Sequence, residues 1–228
     1  MKKKIKIAVV LLMAMAAFSS TPVFAEETEA PVAPSAPIPF EVFLGKDGFT
    51  SQLIVDKKFA GLNKFGLFGL SFLKADYDNE EFLRESINMA VLKYDVVKNV
   101  SVVGGALFNS NWGFRPYAGA QYGYHSRTFM GLLSSGFHLT ETHNFESLAI
   151  VEYRPQIKDA WSLYTRAQGL YSHLTETGKH DRSFLYSRVG VSYKTLSFGA
   201  ALNYDWYGNG PMKIENHQLG IFISTILN

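Results

Sequence analysis

Leu196-Ser197-Phe198-Gly199-Ala200-Ala201-Leu202-Asn203-Tyr204-Asp205-Trp206 alternates along its whole length. Successive side chains of an extended chain point to opposite sides. Leu196, Phe198, Ala200, Leu202, Tyr204 and Trp206 therefore share one face, and Ser197, Gly199, Ala201, Asn203 and Asp205 share the other. The stretch 114–125 repeats the plan. Phe114, Ala118, Ala120, Tyr122 and Tyr124 fall on one side, interrupted by Pro116; Arg115, Tyr117, Gln121 and His125 fall on the other with two glycines. Period-two segments of this kind, roughly 8 to 14 residues each, fill the chain from Phe40 to Leu227 and predict an all-β fold.

A soluble β-sandwich alternates as well, so the placement of the aromatics has to decide. On the apolar faces they stand at strand ends with smaller residues between. Trp112 and Phe114 lie at one end of their strand, and Tyr122 and Tyr124 at the other. Phe129 and Phe137 bracket Gly131, Leu133 and Ser135; Phe145 and Tyr153 bracket Ala149 and Val151; Trp161 and Tyr171 bracket Leu163 and Ala167; Phe198 and Tyr204-Trp206 bracket Ala200 and Leu202. Rings with a polar tip favour the two headgroup levels of a bilayer, and transmembrane barrels carry such girdles around an apolar band. The opposite faces carry Asp56, Arg84, Arg115, Glu146, Glu152, Arg154, Arg166, Arg182, Arg188 and Asp205, with Gln121 among them. That many ionised groups are costly in a dry core. A hydrated barrel lumen removes most of the cost, so the polar side is expected to face inward.

Turn lengths set the strand count. Eleven segments, 49–58, 64–76, 83–95, 99–109, 113–125, 127–139, 143–154, 160–172, 182–194, 196–206 and 214–227, are joined by alternately tight and longer connections. Barrels of the outer membrane keep short turns in the periplasm and long loops outside. Segment 49–58 then runs inward from the cell surface, and 40–45 must bring the chain up, through an Asp-Gly turn at Asp47-Gly48. The expected fold is a closed antiparallel transmembrane barrel of about twelve strands with both termini periplasmic. Ten and fourteen strands stay open as alternatives.

The start of the chain has a different character. Lys2, Lys3, Lys4 and Lys6 precede an apolar run from Ile7 to Phe18, and Val23-Phe24-Ala25 closes it. The run falls short of the roughly 20 residues of a spanning helix, and the plan is that of a secretory signal peptide, 1–25. The chain has 22 basic and 20 acidic side chains; without the four leader lysines the balance is 18 against 20, or −2. A net positive charge is thus no pointer to nucleic acid. Residues 26–39, with Pro31, Pro34, Pro37 and Pro39, read as a periplasmic tether. An exported chain without cysteine cannot be a disulfide scaffold.

From 40 to 228 the pattern resembles the broad class of small bacterial outer-membrane β-barrel proteins, which has porin-like, lipid-modifying and structural members. Its final segment, 216–228, looks like the C-terminal signal read by the barrel-assembly machinery, although it ends in Leu227-Asn228 where that signal usually has an aromatic residue. The resemblance implies the outer membrane of a Gram-negative bacterium. Membrane lipid and the assembly machinery are its partners, and no cofactor is implied.

Chemistry is sparse in the sequence. Outer-membrane acyl hydrolases use a His and a Ser close together on a lipid-facing strand. The nearest features are His125-Ser126, at a tight turn, and Ser172-His173-Leu174-Thr175, where a long loop begins. His138 and His143 flank 140–142 without the spacing of a zinc motif, and His180-Asp181 reads as solvated loop. Arginine outnumbers carboxylate on the expected inner faces. Fixed positive charge selects by sign, so small anionic solutes are the expected cargo if the lumen is open; a filled lumen would instead hold an arginine–carboxylate network. The leading expectation is a non-enzymatic barrel, either a narrow pore or an envelope-structural protein. The alternative is a lipid-modifying acyl hydrolase with its site near the outer loops.

Overall fold

The computed structural model describes residues 38–78, 84–208 and 213–227. The expected signal peptide, and the tether up to residue 37, lie outside the described residues. Thirteen strands follow in order: β1 (Ile38–Gly45), β2 (Gly48–Phe59), β3 (Leu62–Asp76), β4 (Glu85–Val97), β5 (Val100–Asn109), β6 (Gly113–His125), β7 (Phe129–His138), β8 (Asn144–Tyr153), β9 (Gln156–Lys158), β10 (Trp161–Leu174), β11 (Lys179–Tyr193), β12 (Leu196–Tyr207) and β13 (Ile214–Leu227). Each pairs antiparallel with its neighbour, β8 pairs with β10, and β13 returns to β1. The three-residue β9 pairs only with the start of β10. Twelve strands therefore close the ring, and among the described residues each of these twelve is paired on both sides, as a bilayer demands.

Ile38 pairs with Leu227, so the two ends of the described chain lie at one end of the barrel. The tight connections are there as well. Gly61, Asn99 and Lys194 turn the chain with φ of 75°, 68° and 53°, the left-handed backbone that short hairpin turns use. Ile38 and Pro39, expected as the last residues of the tether, already belong to β1. Pro39 has no N–H to give, but at that level β1 is paired to β13 alone, and pairing to β2 begins at Phe40. The largest shift of a strand boundary is at β11, which starts at Lys179 instead of 182 because the register slips by one residue opposite Ser172 and His173.

The outer wall is apolar and ringed. Leu92, Val102, Leu133, Val151, Val189, Leu219 and Ile221 are exposed at its middle; Phe114, Tyr124, Phe129, Phe137, Tyr153, Trp161, Tyr171 and Tyr193 are exposed nearer its ends. The inner wall departs from the expected polar lumen. Ile54, Phe68, Phe72, Val91, Val103, Tyr117, Leu132, Leu148, Ile150, Phe184 and Tyr186 form one buried apolar cluster inside the barrel, and Phe43, Tyr164, Ala201 and Phe222 form a second. Phe72 on β3 stacks on Tyr186 of β11, ring centroids 6.1 Å apart, across the interior. Gly136 makes room for such rings: a Cβ there would stand 2.7 Å from the ring of Tyr117.

Candidate functional site

Polar residues fill what the apolar clusters leave. Around the ring β11 and β4 are six strands apart, so they are opposite walls. Arg182 of β11 nonetheless reaches Glu85 of β4, Nη1 to carboxylate oxygen at 2.6 Å. Glu85 also accepts from Asn109 at 3.0 Å. The second arm of Arg182 lies 3.4 Å from Asp205, and Asp205 accepts from Lys74 and from the Tyr186 hydroxyl, both at 2.9 Å. Lys74 sits on β3 and Asp205 on β12, so this pair spans the interior too. Arg182, Glu85, Asp205 and Lys74 are all buried.

A second knot lies nearer the end that holds the termini. Arg188 donates to Glu41 at 2.8 Å and to Asn203 at 2.8 Å. Arg166 donates to Gln168 at 2.6 Å and Gln52 at 2.9 Å, with Glu41 at 3.5 Å. Glu152 meets Arg154 at 2.5 Å and accepts from the Tyr164 hydroxyl at 3.1 Å. Charged groups that have left water are stabilised by pairing and by hydrogen bonds to the remaining lone pairs. Glu41, Glu85 and Asp205 provide that for the three buried arginines.

Each residue expected on the inner face can now be placed. Arg166, Arg182, Arg188, Glu152, Gln121 and Asp205 are inward and buried. Glu146 is inward and half-buried, 3.5 Å from His138 Nε2. Asp56 is inward and holds Lys93 at 2.6 Å. Arg154 follows β8, with its guanidinium over the Tyr164 ring at 4.5 Å. Arg115 lies over Trp112 at 4.7 Å, so Trp112 stands at the mouth and not in the outer girdle as expected. Arg84 is exposed and precedes β4, whose inward positions begin at Glu85 and continue through Ile87, Met89 and Val91. There the inner wall is the apolar one, so assigning the polar side to the interior inverts the strand.

Glu41, Glu85 and Lys74, three members of the crossing network, carry no sequence signal of their own. Glu85 and Lys74 sit near strand ends and Glu41 in the middle of β1, each beside apolar inward residues. Only their partners across the ring reveal them.

Beside the crossing network, with Arg182 in its lining, lies a cavity of about 50 Å³. Leu70, Phe72, Met89, Leu148 and Phe184 line its apolar part, and Arg115, His138 and Asp181 are among its polar groups. His138 is buried, and its Nδ1 has no partner. Among the described residues Arg115 has no carboxylate partner. The hydrolase candidates come apart: Ser172 is inward, buried and bonded to Asp181, while the neighbouring His173 packs outward between Phe145 and Tyr171. Ser126 closes its own turn by bonding the Phe129 carbonyl.

No family model and no curated protein matches the chain. Solved structures similar to it include the KdgM porin, at 14% identity over 85% of this chain and 100% of that one, with a TM-score of 0.43. The NanC porin is similar at 10% identity over 84% and 98%, TM-score 0.47, and OpdL of Pseudomonas aeruginosa at 12% over 79% and 66%, TM-score 0.40. By its own ring closure, strand register and apolar outer wall, the chain is a closed antiparallel transmembrane β-barrel.

Proposed function

We propose that the barrel is closed at rest and serves as an envelope-structural protein rather than an open diffusion pore. The observation that carries this reading is the Arg182–Glu85 bond between opposite walls. A hydrated channel would leave its lining charges in contact with water, whereas these are packed among aromatic rings and paired. The same pairing argues against anion selection by an arginine lumen, because a fixed charge selects by sign only while its field is not cancelled by a neighbour. The end with the tight turns and both termini faces the periplasm in this reading, as short turns do in outer-membrane barrels. Lipid covers the outer wall, and the assembly machinery engages β13 before it closes on β1.

In planar bilayers the folded mature barrel is expected to give no discrete conductance steps. Steady, anion-selective steps that weaken when Arg115 and Arg166 are made neutral would overturn closure and restore the pore.

The mouth supports a second reading, capture of a small anionic solute at Arg115. Titration with benzoate is expected to change Trp112 fluorescence saturably in the wild type and not in Arg115→Gln; equal response in both removes this reading.

A further inference from the structure

The wall that faces lipid carries a serine and a histidine in contact. The register slip in β11 sets this up. Ser172 pairs with Arg182, but the next residue of β10, His173, pairs with His180, so Asp181 is bulged out of the ladder. The extra residue inverts the alternation. Arg182 points inward and Ser183 outward, and His180, which by parity would share the face of Arg182, is turned to the outer face beside His173 and Tyr171. Bulges re-aim side chains in this way. The bulge is held from both sides. Inside, Asp181 accepts from Asn144 at 2.9 Å and Ser172 at 3.3 Å; in the backbone, its carbonyl accepts from Gly208 N–H at 2.9 Å.

The result is a fixed tautomer. His180 Nδ1 lies 2.9 Å from the Gly208 carbonyl oxygen, and a carbonyl can only accept. In the neutral imidazole the ring proton therefore sits on Nδ1, which leaves Nε2 as an acceptor. Nε2 is 2.8 Å from Ser183 Oγ, so Ser183 donates to it. A hydroxyl facing an unprotonated imidazole nitrogen, with the imidazole oriented by a third group, is the arrangement of a nucleophile and its general base. A histidine that merely tied down a strand end would need only the Gly208 bond.

Depth points to the substrate. Ser183 stands between Tyr171 on β10 and Trp206 on β12, at the level of the aromatic belt, where headgroups and acyl chains of a bilayer meet. Ester carbonyls of lipids lie at that boundary. Leu185, the next outward residue of β11, continues into the hydrocarbon-facing wall.

We propose that Ser183 and His180 form an acyl-transfer site for ester-linked lipids, entered from the bilayer and not through the lumen. Ser183 Oγ attacks the ester carbonyl carbon while its proton passes to His180 Nε2. The tetrahedral species expels the lipid alcohol, which takes that proton, and the acyl group remains on Ser183. Water from the headgroup region then attacks the acyl-serine through the same base, releasing a fatty acid and restoring the hydroxyl. The inference rests on the chain spanning a bilayer.

The test uses the folded mature barrel in phosphatidylcholine vesicles, with heat-modifiable gel migration as the measure of folding. A fluorophosphonate probe is expected to label it once, at Ser183, and fatty acid and lysolipid to appear in unlabelled samples. Ser183→Ala should abolish both, and His180→Phe should slow release by about a hundredfold or more, each with migration unchanged. Folded wild type that is neither labelled nor active overturns the proposal, as does activity that survives Ser183→Ala. Failure to insert would remove the bilayer-spanning reading itself, and the proposal with it.

Discussion

Arg182 and Ser183 are adjacent on β11 and face opposite media. Arg182 is buried and bonded across the interior to Glu85; Ser183 faces lipid and bonds a histidine three residues away. On the inner wall, polar groups are joined over long sequence distances and hold the ring shut. On the outer wall the polar contact is local and depends on a single bulge. The inner contacts need the closed ring to exist at all, whereas the outer one needs only the adjoining strands β8, β10 and β11 and the start of the β12–β13 connection. Function tied to the interior should therefore fail together with stability, and function tied to the outer wall should be separable from it.

Glu85→Ala should give the largest effect. It strands Arg182 in an interior from which water is excluded, and removing one partner of a buried pair typically costs about 3–5 kcal/mol. The midpoint of urea unfolding in detergent is expected to fall accordingly, and the folded fraction should admit ions in planar bilayers. Replacing both partners, as Arg182→Met with Glu85→Leu, removes the charge and restores contact, so stability should return to near the wild-type value or above it. Loss of stability in the double variant as deep as in Glu85→Ala would show that the pair is needed for more than neutralisation. In neither variant should Ser183 lose its reactivity so long as the barrel is folded.

Tyr186→Phe tests the same knot at smaller cost. The ring stays stacked on Phe184, centroids 4.3 Å apart, but the donor to Asp205 is lost. A hydrogen bond to a charged group contributes about 1.5–3 kcal/mol. Asp205 keeps Lys74 and Arg182, so the lower part of that range is expected, read from the same unfolding midpoint.

The alternation in 196–206 and the girdle of rings made the closed barrel legible, because side-chain parity is a local property and the bilayer imposes it on the outer face of every strand. The interior was less legible. Its polar residues were visible where polarity alternates with apolar residues, as in β10 through β12. They were misread where both faces are apolar, as in β4, where Ile87, Met89 and Val91 point inward while Leu92 and Tyr94 point out. A lumen that is filled obeys the rules of a core, so polarity alone does not mark it. The placement of His180 could not be read at all. Parity assigns it to the inner face and composition assigns it to a loop, and the bulge at Asp181 that overrides both depends on Asn144 and Ser172 from two other strands.

Lys58→Ala should give the smallest effect, and it isolates what closure contributes. Lys58 and Asp95 approach to 2.6 Å, the same separation as Arg182 and Glu85. The side chain of Lys58 is 66% exposed, that of Arg182 only 4%. Water and salt compete for an exposed pair, which is worth at most about 1 kcal/mol. Asp95 also keeps the Ser101 hydroxyl at 2.6 Å, so it is not stranded when the lysine goes. The unfolding midpoint should move by less than the effect of Tyr186→Phe, and the small shift should vanish on raising the salt concentration, while the effect of Glu85→Ala persists. If Lys58→Ala matched Glu85→Ala, equal distance would have meant equal energy, and burial inside the ring would no longer explain why the lumen stays shut.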